Sequence, residues 1–125
     1  MKKEIRNVWI MKYDGTVLFH QGDEGKVNGF LVAGFISAVN VLASQIDDTG
    51  INKITFGHEK ISMLKQDDLI FMVLHSKKMK VNRIEKILDN IASIFTSAYS
   101  SETIRNWAGN VLQFAQFGEL ISVLN

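Results

Sequence analysis

The chain has no cysteine and no proline, and the stretch Val27 to Ile46 contains no charged residue. Without cysteine there can be no disulfide framework, no thiolate metal site and no thiol nucleophile. Together with the lack of a recognisable signal peptide, this leads us to expect a cytoplasmic protein. Without proline there is no polyproline ligand segment or proline-rich linker. Charge of one sign is also missing in bulk. A formal net charge of +1 provides no electrostatic footprint for nucleic acid, so no nucleic-acid partner is expected. Internal repeats and low-complexity tracts are absent. At 125 residues, 46% of them hydrophobic and 22% charged, the composition fits one globular domain, residues 1–125, with a single core.

Catalytic signatures are missing too. No G-x-S-x-G elbow occurs. Gly22-Asp23-Glu24-Gly25-Lys26 has its glycines too close for a phosphate-binding loop, is followed by Val27, and carries two acids that would repel phosphate. His20, His58 and His75 fall on three separate segments and lack the short spacing of a zinc site. Asp47-Asp48 and Asp67-Asp68 are neighbours in turn-like sequence, which accounts for them without acid/base chemistry. We therefore expect no enzyme activity, no metal and no cofactor.

What is present centres on the uncharged stretch, VNGFLVAGFISAVNVLASQI. Its length matches the roughly 20 residues that a bilayer requires, and Gly25-x-x-x-Gly29 has the spacing of a membrane dimer motif. Asn28, Ser37, Asn40, Ser44 and Gln45 are spread along it, however, which favours a buried helix of a soluble domain. At a helical period Leu31, Phe35, Ala38, Leu42 and Ile46 share one face, with Val39 beside them. That face is expected on the sheet, with Leu42 in the core. The opposite face carries Ala33, Ser37, Asn40 and Ser44 between the apolar shoulders Phe30, Val41, Val32, Ile36 and Ala43.

Ahead of that helix, Glu4 to Tyr13 is apolar on both sides. Ile5, Trp9, Met11 and Tyr13 alternate against Val8 and Ile10, the pattern of a central strand covered on both faces. Asp14-Gly15 predicts a two-residue type I′ turn into a second strand, Thr16 to His20. After the helix, Asp47 to Gly50 turns the chain. Ile51 to Phe56 then reads as a half-exposed edge strand, Glu59 to Leu64 as the next, and LIFMVL (Leu69 to Leu74) as a buried central strand. Asn82 with Glu85 three residues on approximates a capping box, opening a helix whose apolar face is Ile84, Ile87, Leu88, Ile91, Ile94, Phe95 and Ala98. Ser100-Ser101 breaks it. A last helix is predicted over Glu102 to Leu124, with Ile104, Trp107, Ala108, Val111, Leu112, Ala115, Leu120, Ile121 and Leu124 inward and Gly118 as its weak point. The order is β-β-α-β-β-β-α-α: an α+β fold in which helices sandwich a five-stranded, mainly antiparallel sheet, the first helix on one face and the last two on the other.

From Ile5 through Leu124 this order resembles the longin domain, most tellingly in the hairpin IRNVWIMKYDGTVLFH, the helix GFLVAGFISAVNVLASQI and the run DLIFMVL. The roadblock module is related but begins with a helix. SNARE longins continue into a heptad-bearing segment, and this chain ends at Asn125. It is similar to a stand-alone longin-like subunit of the kind archaea encode. The resemblance implies a non-catalytic scaffold or adaptor that dimerises, with itself or with a related longin or roadblock domain, and engages a small GTPase or a vesicle-trafficking complex. A small-molecule sensor of PAS or GAF type shares the five-stranded antiparallel sheet and is the alternative, although Trp9, Phe30, Phe35 and Phe71 look sufficient to fill its ligand cavity.

Two surfaces stand out. On the helix face assigned outward, Phe30, Ala33, Ile36, Ser37, Asn40, Val41 and Ser44 are the expected partner interface, because no charge keeps that face soluble. Lys77, Lys78, Lys80, Arg83 and Lys86 crowd the start of the second helix, where cations oppose the helix dipole. They form a basic patch that would suit an acidic protein surface or peripheral contact with anionic lipid.

Overall fold

Strand β1 (Ile5–Lys12) carries apolar side chains on both faces and accordingly takes an interior place in the sheet. The computed structural model describes residues 5–22, 28–48, 50, 52–105, 114, 117 and 118, without the side chain of Phe30. Besides β1 it contains β2 (Val17–Gly22), α1 (Gly29–Ser44), β3 (Lys53–Thr55), β4 (Glu59–Gln66), β5 (Leu69–Ser76), α2 (Val81–Ala98) and α3 (Ser101–Arg105). The five strands run in the order β2-β1-β5-β4-β3, and every neighbouring pair is antiparallel. The two most deeply buried strands, β1 and β5, are thus shielded by strands on both sides. Short β3, with Lys53 and Thr55 exposed on either side of half-buried Ile54, is an edge.

The two faces have separate cores. On one, Trp9, Met11, Ile61, Met63, Ile70, Met72 and Leu74 rise from the sheet to meet α1. On the other, Val8, Ile10, Phe71 and Val73 meet Ile84, Ile87, Leu88, Ile91, Ala92 and Phe95 of α2, as that helix's period predicts. Ile94 is only half-buried and Ala98 is exposed. Phe114 and Phe117, which fall outside the apolar stripe expected for the last helix, are fully buried here and pack their rings on Phe95 and Tyr99. Of the long last helix only Ser101–Arg105, Phe114, Phe117 and Gly118 belong to the described residues; the rest of that expectation lies outside them.

Three local expectations are corrected. Ile5 lies on the α2 side rather than with Trp9, because the pairing of β1 with β5 shifts register between Ile5 and Asn7. The first hairpin does not turn on two residues: Gly15 N–H donates to Lys12 O at 3.0 Å and Lys12 N–H to Thr16 O at 2.9 Å, and only Gly15 has positive φ, +94°. This is a three-residue loop in which glycine occupies the left-handed position, with the Asp14 carboxylate accepting from Thr16 N–H at 2.9 Å. The two-residue turn with both φ positive occurs instead at Asp67 and Asp68, at +53° and +65°, between Gln66 and Leu69. Finally, α2 has no capping box: Lys80 is its N-cap and makes no side-chain cap, while Asn82 already lies inside the helix.

Candidate interaction surface

The helix α1 buries the face opposite to the one its largest residues suggest. Ala33 and Ile36 are fully buried and Asn40 nearly so, whereas Leu31, Phe35, Leu42 and Ile46 are exposed by 72%, 56%, 64% and 85%. Ala38 is exposed and Val39 half-buried. The reason lies in the sheet beneath. Trp9, Met11, Met63 and Met72 occupy much of the space between the layers, and the approaching helix face adds one large side chain, Ile36, beside the small Ala33. The approach is close at the first hairpin. A Cβ on Gly15 would stand 3.2 Å from Ser37 Cβ, and the Ser37 hydroxyl donates to Tyr13 O at 2.7 Å. Asn40 is satisfied from the sheet, its side-chain oxygen accepting from the Lys65 ammonium, whose pKa burial pushes down.

This divides the residues expected to meet a partner. Ala33, Ile36 and Asn40 face the sheet and are removed from that surface; Ser37 is half-buried and bonded to the hairpin. Val41 and Ser44 are exposed, and Phe30's side chain lies outside the described residues. The outer surface of α1 is instead formed by Leu31, Phe35, Ala38, Val41 and Leu42, running on to Ile46. Its first and last turns carry no acidic and no basic residue. No charge marks an outer side of this helix and apolar residues flank both faces, so the helical period does not single out the buried one.

The basic residues fall where the sequence puts them in the chain, and all are exposed. Lys77 and Lys78 occupy the turn after β5, Lys80 caps α2, and Arg83 and Lys86 lie on its first turns. That turn is fixed by Lys78 N–H donating to Ser76 Oγ at 3.1 Å and Met79 N–H to Ser76 O at 3.1 Å.

The histidines do not converge. His20 stacks on Trp9, centroids 5.0 Å apart and rings 6° from parallel, and its Nε2 donates to Asn7 Oδ1 at 3.0 Å. His75 is fully buried; its Nδ1 donates to Ser76 O at 2.8 Å, so Nε2 is left to accept from the Ser62 hydroxyl at 2.8 Å. Burial lowers the pKa of both, and for His75 the ammonium groups of Lys60 and Lys53 add to it. Among the described residues no cluster of three metal-ligating side chains forms, and no helix is long and apolar enough to cross a membrane.

No protein-family model matches the sequence, and no curated protein is similar enough to match. Solved structures do match. A Roadblock/LC7 domain from Streptomyces avermitilis superposes with TM-score 0.57 at 9% identity, over 75% of this chain and 88% of that one. MglB of Myxococcus xanthus gives 0.54 at 16% identity, over 74% and 85%. The mammalian SRP receptor gives 0.57 at 19% identity and spans 98% of this chain and 93% of that one. The fold is longin-like. At these identities the likeness is one of fold alone; in this chain the helix α1 crosses from β2 to β3, the two edges of the sheet. In this longin-like chain that crossing helix bears the apolar surface.

Proposed function

We propose that this chain is a non-catalytic interaction module that pairs with a second copy of itself through the outer face of α1 and, so assembled, engages a small GTPase or a vesicle-trafficking complex in the cytoplasm. The observation that carries this reading is the row Leu31, Phe35, Val41 and Leu42 on a helix whose end turns hold no charge, continued by Ile46 just past its end, each more than half exposed. Contiguous exposed apolar surface of this kind is characteristic of interaction sites. An uncharged surface has no opposite-charge partner to recognise, and self-complementary contacts across a two-fold axis suit it. A structural neighbour, MglB, occurs in a tetrameric arrangement (TM-score 0.51, 13% identity), which supports assembly as a use of this fold. The GTPase rests on what the longin resemblance implies.

Light scattering on the purified chain should give about twice 14.1 kDa. Phe35→Glu, which places a charge amid the row without touching the core, should give a folded monomer. A wild type that stays monomeric at high concentration, with amides of α1 exchanging freely, overturns the homodimer and leaves pairing with a related longin or roadblock domain to be tested by mixing.

A further inference from the structure

The opposite side of the sheet carries a second surface that owes nothing to α1. Between the N-terminal half of α2 and the β3–β4 edge lies an open groove of about 460 Å³. That volume lies within the range of ligand pockets, about 300–1,000 Å³. Leu64, Met79 and Val81 give it an apolar floor that is half-buried or exposed. Lys53, Lys60 and Lys77 line it from three different elements: the edge strand, β4 and the turn before α2. Register explains how the first two meet: Lys53 stands opposite Ser62, Lys60 opposite His75, and Ser62 and His75 are hydrogen-bonded to each other. Both lysines act on the His75 ring, which places their charges near one spot. The ion pair of Arg6 with Glu59 involves none of the three.

We infer that this groove binds an extended acidic peptide segment of a partner protein, with an apolar side chain seated on Leu64, Met79 and Val81 and carboxylates reaching Lys53, Lys60 and Lys77. The shape and charge decide against a lipid surface. A planar bilayer cannot enter a concave groove, and Glu85 and Asp89 on the α2 wall would meet anionic headgroups with like charge. A peptide can present carboxylates to the lysine wall while turning its other side to α2. Lysines spread over three elements match charges repeated along a strand better than a single small anion, and the apolar floor needs a covering that a free anion cannot supply.

The test uses the whole chain and fluorescein-labelled synthetic peptides of alternating glutamate and leucine, glutamate and serine, or lysine and leucine, read by fluorescence anisotropy. The Glu-Leu peptide should bind, more weakly at high salt, and the other two should not. Lys60→Glu with Lys77→Glu should weaken binding by about tenfold or more, as truncated or reversed charge pairs do. Val81→Asp should weaken it separately. Lys78→Glu, in the same turn but outside the groove, should leave affinity within about twofold, since screened surface charges contribute little. Phe35→Glu should not change it, so failure of α1 pairing and failure of the groove are read independently. Equal binding of the Glu-Leu and Lys-Leu peptides would overturn the inference. So would a Lys78→Glu loss as large as that of the groove pair, or phosphatidylserine vesicles capturing the wild type but not the groove variant. Circular dichroism checks that each variant is folded; the lysine pair lies on the surface and keeps the test decisive if Val81→Asp unfolds.

Discussion

Ile36 and Leu42 are aliphatic residues on the same helix with opposite surroundings. Ile36 is fully buried against the sheet, while Leu42 is 64% exposed. In a monomeric Phe35→Glu background, Ile36→Ala should cost about 2–5 kcal/mol of unfolding free energy, the range for a truncated buried aliphatic. Leu42→Ala in the same background should stay within about 0.5 kcal/mol, as surface changes do. Urea titration measures both, and a larger loss at Leu42 would put the wrong face on the sheet. His75 provides a pH-dependent counterpart. Its folded pKa is lowered, chiefly by burial, below the value of about 6.5 that an unfolded histidine has. The unfolded chain therefore binds more protons in acid. Stability from this site is complete above the unfolded pKa and is lost as pH falls through the folded one. The urea midpoint should drop as pH falls below about 6.5. His75→Asn should flatten that slope, leaving the share of His20, whose pKa burial also lowers.

At the scale of elements, two turns hold less favourable residues than their geometry allows. Asp67 and Asp68 both adopt left-handed backbone, which costs an L-residue roughly 1–2 kcal/mol and aspartate less than most. Asp68→Gly relieves this in a turn that favours Asp-Gly, and should raise stability by about 0.5–1 kcal/mol in a thermal or urea melt. Lys80 caps α2 in extended backbone, φ −68° and ψ 139°, without a side-chain hydrogen bond. Lys80→Asp would cap the free amides and place a negative charge at the dipole's positive end, adding about 1 kcal/mol. Deuterium exchange in the first turn of α2 should slow in that variant; unchanged exchange would mean the turn is held by something else.

For the molecule as a whole, α1 and the groove beside α2 lie on opposite faces of one sheet, so a pair formed through α1 leaves both grooves open. Pairing that binds only the folded state stabilises it by mass action. The denaturation midpoint of the wild type should therefore rise with protein concentration, and that of Phe35→Glu should not. A midpoint independent of concentration in both would remove the pair from the folded state's energetics.

Strand alternation, turn residues and the apolar stripe of α2 are local properties, and they were legible in the sequence: the five strands, the interior places of β1 and β5, the edge at β3 and the buried residues from Ile84 to Phe95 follow from them. The basic residues around α2 were equally plain. What the tertiary structure alone decided is which side of α1 faces inward. The helix is uncharged all round and has apolar residues on both faces, so its period carries no choice. Against Trp9 and the methionines of the sheet the helix sets Ala33 and Ile36, with Asn40 bonded to Lys65, and Leu31, Phe35 and Leu42 are turned outward. The groove was hidden for a related reason. Lys53, Lys60 and Lys77 are scattered in the chain, and only antiparallel pairing together with the return of the chain into α2 sets their charges around one apolar floor.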